Sequence, residues 1–322
     1  MRPARVTVAG AAGAAGAAGA AGAAGAAGAA GAAGAAVAGP EPAPVVLVAH
    51  GSGDPRAARV TEALARAVAA ARPGLSVRAS YLDHGPPRPG AVLAELEAAG
   101  HRRAVLVPLL LTAAYHGRVD IPRTVEAARE AGLRIPVRTT EVLGPTAQGV
   151  DPRLLSGLLR RLTEALDPVP EDGAAGAAGR QPGGGDALPG RSGDLDDSLA
   201  RRLGGVDGVV LAAAGTRDAA ARETVAQVAE ALGLETGLPT RVGYASAAPP
   251  TAGTAVSALR EAGARRVAVA TYFLAPGRLC DTALESAREA GAVALSAPLG
   301  DAPELVQLVL GRVDAAPTGD GR

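Results

Sequence analysis

From Val45 onward the chain alternates between short apolar runs and amphipathic stretches of helical spacing. Val45–Ala49 is an unbroken apolar run with the length and β-branched content of a buried parallel strand. In the turn that follows, His50-Gly51-Ser52-Gly53-Asp54-Pro55, Asp54 is placed to cap a helix and Pro55 to occupy its first position. That helix is predicted to run to about Ala71, where Arg72-Pro73-Gly74 stops it. Leu75–Leu82 alternates as a strand, and Arg88–Ala99 reads as a helix closed by Gly100. Ala104–Leu111 is a second fully apolar strand. A loop, Thr112–Asp120, leads to a helix from about Pro122 to Ala131, in which Asp120 is a candidate cap. Leu133–Thr139 is a last short strand, and Asp151–Leu166 a final helix with Asp151 as cap and Pro152 in its first turn. The order βαβαβαβα predicts a parallel sheet with helices on both faces.

The pattern then repeats, with strands expected near 207–213, 240–245, 266–273 and 292–296 and Asp301-Ala302-Pro303 opening the last helix. Val45-Val46-Leu47-Val48-Ala49-His50-Gly51-Ser52 returns as Val209-Val210-Leu211-Ala212-Ala213-Ala214-Gly215-Thr216, and Asp54 as Asp218. Tyr115-His116-Gly117-Arg118 returns as Ala275-Pro276-Gly277-Arg278. The expected organisation is a Gly-Ala-Ala tail over 1–44, a first domain over 45–166, and a Gly/Pro/Asp/Ser-rich linker over 167–206. A second domain follows over 207–314, then a short tail over 315–322. The fold class is α/β: two tandem flavodoxin-like or Rossmann-like domains with a cleft between them. All four histidines (His50, His84, His101 and His116) lie in the first copy, and Ala214 and Pro276 fill two of the matching slots in the second. A copy that keeps its glycines and apolar strands but drops its histidines keeps the fold and loses the chemistry. His50 and His116 are therefore where function is sought.

Composition narrows the options. The chain has 322 residues, nearly half apolar with few aromatics, so its cores are built of Val, Leu and Ala. Its basic residues are all arginine, which removes any phosphate-binding or Schiff-base lysine. Net charge is zero with the signs interspersed, and no basic stripe marks a nucleic-acid partner. The single cysteine, Cys280, permits no intrachain disulfide and no cysteine metal cluster, which fits a reducing cytoplasm. It is read as buried rather than reactive. Residues 10–36 are nine copies of Gly-Ala-Ala. Collagen would need proline there, a membrane span would need bulkier apolar residues, and glycine at every third position weakens a signal-peptide core. The stretch is read as a low-complexity tail, with no membrane partner.

In open parallel sheets, ligands bind beyond the carboxyl ends of the strands. His50 directly follows the first strand and His116 lies after the third, so both loops open on one edge. Gly51 and Gly117, each after a histidine, are read as leaving room for a bulky ligand to approach the backbone. Two neutral imidazoles suit cobalt, nickel, zinc or ferrous iron, and two ligands make an open site suited to a metal that must be released. An imidazole also accepts a proton near neutral pH.

At this point the residues reach a family. Val46–Pro55, Val-Leu-Val-Ala-His-Gly-Ser-Gly-Asp-Pro, resembles the opening motif of the sirohydrochlorin chelatases, the class II cobalt and iron chelatases. Tyr81-Leu82-Asp83-His84 is similar to the family's segment after its second strand. Val107–Pro122, with Leu111-Thr112-Ala113-Ala114-Tyr115-His116 at its centre, resembles the second histidine motif, and Leu143-Gly144-Pro145 with Asp151-Pro152 resembles the end. The resemblance spans about 45–166, and the two-copy architecture extends it to about 314. It implies ATP-independent insertion of Co2+ or Fe2+, as substrate, into a sirohydrochlorin-type tetrapyrrole, in cobalamin or sirohaem biosynthesis and with no nucleotide cofactor. His50 and His116 would hold the metal, and His50 would also take a pyrrole proton. Leu111, Thr112, Ala113, Ala114, Tyr115 and His116 would line the macrocycle. Asp83, His84 and Arg118 are candidates for further substrate contact. Arginines near the loops, such as Arg56, Arg88 and Arg118, suit the macrocycle's carboxylates.

The chain departs from the family at Gly53, where a basic residue is common, and at Gly117, where an aliphatic one is. A nucleotide- or flavin-phosphate module would want Gly-x-Gly-x-x-Gly in the first turn, which is absent. A histidine phosphatase would want arginine where Ala49 stands. A non-catalytic metal or tetrapyrrole carrier would use the same two histidines and stays open as the alternative. Two tandem copies mimic a dimer, so the expected unit is a monomer with pseudo-dimeric halves.

Overall fold

The structure is a computed structural model that describes residues 42–112, 120–166 and 202–316. Its first half holds β1 (Val45–Ala49), α1 (Pro55–Ala71), β2 (Val77–Tyr81), α2 (Pro89–Ala98), β3 (Ala104–Pro108), α3 (Ile121–Glu130), β4 (Val137–Thr139) and α4 (Pro152–Glu164). The second holds β5 (Gly208–Ala213), α5 (Ala219–Thr236), β6 (Thr240–Tyr244), α6 (Ala252–Glu261), β7 (Val267–Tyr272), α7 (Arg278–Glu289), β8 (Ala294–Leu295) and α8 (Pro303–Ala315). Each half forms a four-stranded parallel sheet, ordered β2-β1-β3-β4 and β6-β5-β7-β8. Such an order reverses direction between β1 and β3, and between β5 and β7, so a crevice opens at their carboxyl ends. No helix among the described residues is long and apolar enough to cross a membrane.

The caps largely follow the sequence. Asp54 accepts from the Arg56 amide at 2.9 Å, Asp151 from the Arg153 amide at 3.0 Å, and Asp218 from the amides of Ala220 and Ala221 at 2.9 and 3.2 Å. Two expected caps fail. Asp120 stands just before α3, which starts at Ile121, but has helical backbone angles where a capping residue is extended, and it makes no side-chain cap bond. Ala302, not Asp301, stands at the start of α8, which has no side-chain cap. Glu304 in the first turn of α8 instead pairs with Arg160 of α4 at 2.6 Å. Strand β3 also ends three residues short of Leu111: the Leu109 amide makes a last bond to the Val48 carbonyl at 2.8 Å, and the chain then turns toward the crevice, where Leu111 and Thr112 line the cleft.

The two halves share one core. Helix α4 ends the first half yet packs on β7, α5 and α8 of the second. Helix α8 ends the second half yet packs on α1 and β3 of the first. The terminal helices are thus exchanged. One continuous cluster runs from Leu47 of β1 through Leu64 of α1, Leu158 of α4 and Leu211 of β5 to Leu305 and Val309 of α8. The outer faces carry separate clusters, with α2 and α3 on the first sheet and α6 and α7 on the second.

Polar contacts ring this seam. Arg72 pairs with Asp314 at 2.7 Å, and the Arg161 guanidinium donates to the Leu299 carbonyl at 3.1 Å. Arg312 of α8 donates to the Val142 carbonyl at 2.9 Å and lies 3.6 Å from Asp151. Burial pushes the Asp151 carboxyl up, but hydrogen bonds from Arg153 and the charges of Arg153 and Arg312 outweigh it, so its pKa falls below the ordinary carboxylate value.

Candidate functional site

The site begins where β1 ends. Beyond the strand, the Leu82 amide donates to the Ala49 carbonyl at 2.9 Å and the Asp83 amide to the His50 carbonyl at 2.8 Å. Parallel pairing of β1 and β2 therefore continues into their loops and draws Asp83 and His84 beside His50. The His50 and His84 ring centroids are 6.1 Å apart, with planes inclined at 79°. His84 has a left-handed backbone, φ 61°, and its amide donates to Asp83 Oδ1 at 2.8 Å. The Asp83 carboxyl is held below its usual pKa, first by that hydrogen bond and then by the charges of His84, Arg88 and His50.

Gly51 has a different purpose from the one the sequence suggested. Its φ is 95°, and a Cβ there would sit 2.1 Å from the Asp83 carbonyl oxygen. The space is taken by the neighbouring loop, not by a ligand. The second half repeats the arrangement without the chemistry. Gly215 has φ 89° and a Cβ there would sit 1.9 Å from the Ser246 carbonyl oxygen. The Ser246 amide donates to the Ala214 carbonyl at 3.1 Å. Gly51→Ala and Gly215→Ala are each expected to destabilise the chain by about 2–5 kcal/mol, combining backbone strain with a backbone clash. Paired thermal melts check this; an unchanged melting temperature in either variant would mean that the loop gives way to the added methyl group.

The third loop is fixed from both halves. The Leu143 amide donates to the Leu110 carbonyl at 2.9 Å, and a Cβ on Gly144 would sit 1.8 Å from the Leu111 carbonyl oxygen. That same oxygen accepts from the Tyr272 hydroxyl at 2.8 Å. Tyr272 is 3% exposed, and burial pushes its pKa up. Sequence reasoning missed Tyr272; its only signal was a tyrosine ending an otherwise aliphatic strand.

Between the halves lies a cleft of about 1490 Å³. The first half contributes His50, Ser52, His84, Leu111 and Thr112; the second faces them with Ala214, Thr216, Phe273, Pro276 and Arg278. Of the residues expected to act, His50, Asp83, His84, Leu111 and Thr112 line this cleft. Ala113, Ala114, Tyr115, His116, Gly117 and Arg118 lie outside the described residues. Among the described residues, no group of three or more His, Cys, Asp or Glu side chains is gathered closely enough to hold a metal ion. His101 precedes β3 and so stands at the opposite edge of the sheet.

Two expected anion contacts are engaged elsewhere. Arg56 pairs with Asp54 at 2.6 Å and, across the cleft mouth, with Asp281 at 2.5 Å. Arg88 donates to the Leu82 carbonyl and lies 3.8 Å from Asp83. Arg278 lines the cleft from the start of α7 without an ion pair among the described residues. Cys280, two residues on, is 2% exposed, and burial pushes its thiol up to about 12, which fits the expected inert role.

Solved structures share this architecture. SirB from Bacillus subtilis with Fe3+ superposes with a TM-score of 0.64 at 18% identity, covering 85% of this chain and 94% of that one. SirB from Bacillus subtilis subspecies spizizenii in complex with cobalt gives 0.61 at 17%, with the same coverage. DR2241 from Deinococcus radiodurans, described as similar to chelatases with two additional domains, gives 0.57 at 19%, covering 87% of this chain and 56% of that one. At such identities the likeness is one of fold. No curated protein matches the chain. The CbiX family model matches residues 44–165 and again 208–316, so both halves carry its pattern. With the first-half histidine motifs, the double match bears out the resemblance to the sirohydrochlorin chelatases, and the chain belongs to the CbiX family.

Proposed function

We propose that the protein inserts a divalent metal ion, without nucleotide, into a sirohydrochlorin-type tetrapyrrole held between its two halves. The observation that carries this reading is the position of His50. It stands at the carboxyl end of β1, where the sheet order reverses, and faces a broad cleft whose opposite wall has an alanine in the matching place. Insertion exchanges two pyrrole N–H protons for one metal ion. It therefore needs a group that binds the ion and a base beside it, with access to water. Imidazole supplies both chemistries.

In this reading His50 and His116 bind the metal substrate, and His50 accepts a pyrrole proton and passes it to solvent. Leu111, whose carbonyl accepts from Tyr272 and packs on Gly144, and Thr112 support one wall, with Ala113, Ala114, Tyr115 and His116 continuing it. Phe273 and Leu274 offer an apolar surface opposite. Asp83 and His84 border the metal position. Arg118 and Arg278 suit the peripheral carboxylates. Because one chain supplies both walls, the working unit is a monomer with pseudo-dimeric halves, and the linker 167–206 joins a metal-binding domain over 45–166 to a histidine-free one over 207–314. Cobalt and ferrous iron both accept imidazole nitrogen, and the SirB neighbours are described one with Fe3+ and one with cobalt.

The test is anaerobic incubation of the purified chain with sirohydrochlorin and either Co2+ or Fe2+, following the macrocycle's visible spectrum. Insertion well above the uncatalysed rate is expected, and competition between the ions then identifies the physiological one. Tight binding of metal or macrocycle with no acceleration would replace the enzyme by a carrier.

A further inference from the structure

The asymmetry between the halves reaches further than the two motif histidines. His84 and Ala247 occupy matching places after β2 and β6, and both have the left-handed backbone, φ 61° and 63°. An unusual φ at a non-glycine residue often signals function. Here it recurs in the histidine-free half, so the fold itself imposes it. What differs is the side chain: an imidazole lines the cleft in one half, and a methyl group stands in its place in the other. The preceding residue changes in the same sense, from Asp83 to Ser246.

From these observations we propose that His84 is a metal-binding residue, which together with His50 receives the incoming divalent ion. This deepens the chelatase reading and rests on it for the identity of the ion. Two imidazoles on one ion, with metal–nitrogen bonds of about 2.0–2.1 Å, have ring centroids about 4.5–6 Å apart. The 6.1 Å separation of His50 and His84 lies just beyond that range, within reach of a small side-chain rotation. The backbone beneath is fixed on both sides: His50 by its carbonyl bond from Asp83, and His84 by its amide bond to Asp83 Oδ1. A half-exposed imidazole on a rigid turn is well placed to capture an ion from water. Binding replaces metal-bound water by imidazole nitrogen, with no change in oxidation state.

The experiment titrates the full chain, stripped of metal by chelator, with Co2+ alone. It reads the dissociation constant and the visible d–d spectrum of the bound ion. His84→Ala is expected to weaken Co2+ binding at least tenfold and to change the spectrum, with the melting temperature close to that of the parent. Alanine suits this backbone, as Ala247 demonstrates. His84→Asn keeps a residue that tolerates the left-handed region but lacks the imidazole, and is expected to weaken binding alike. Binding within twofold of the parent in either folded variant would overturn the proposal, as would a loss confined to Asp83→Asn. A parent chain with no saturable Co2+ binding would overturn both this proposal and the metal site it extends. A His84-dependent site on a chain that never accelerates insertion would leave His84 standing and remove the chelatase reading.

Discussion

His50→Ala is expected to lower the rate of metal insertion by about a thousandfold or more, with the fold intact. A positioned general base contributes about 10²–10⁴-fold, and the same substitution removes a metal ligand. The fold tolerates it because the second half already carries the change. Ala214 follows β5 as His50 follows β1, with the same backbone pairing to the next loop and the same crowded glycine after it. A drop in activity with an unchanged melting temperature would thus be a loss of chemistry. The measurement pairs single-turnover spectra with thermal denaturation. Activity within tenfold of the parent would mean that the base lies elsewhere.

Removing residues 303–322 is expected to unfold the chain, although the deletion lies at the far end of the sequence from His50. Leu305, Val306, Leu308, Val309 and Leu310 of α8 are all buried, in the core that α8 shares with α1 and β3. Each side chain is worth about 1.5–3 kcal/mol on burial, and a domain has a net stability of about 5–15 kcal/mol. Losing five of them consumes most or all of that margin. Circular dichroism and a denaturant titration of the truncated chain check it. A cooperative transition near the parent's midpoint would mean that the first sheet is stable without the exchanged helix.

The strands and helix starts were readable because their signals are local: β-branched runs for β1 and β5, Asp-Pro pairs for α1 and α4. The exchange of α4 and α8 was not. Apolar spacing tells that Leu154, Leu158 and Leu162 face a core, but it is silent on which sheet supplies that core. His50 was legible as a histidine at a strand end with no equivalent in the repeat. His84 stood out less, because its closeness to His50 arises from backbone pairing beyond the strands and from a left-handed turn that histidine does not announce. Gly51 was read as leaving room for a ligand, whereas what approaches it is the Asp83 carbonyl of the neighbouring loop. The anion-binding assignment of Arg56 missed Asp281, whose nearness depends on the packing of one half against the other.

The exchanged helices also set an order of assembly. Arg72 and Asp314 meet across 242 positions of sequence. During synthesis the first half leaves the ribosome with part of its sheet's inner face uncovered, and the partner for that face, α8, is made only after the whole of the second sheet. Contacts of such long range are slow to form, and exposed apolar surface is prone to aggregate until they do. The walls of the cleft therefore gain their shared support only once α8 has been made, and a chain that stops before it lacks the helix that covers α1 and β3.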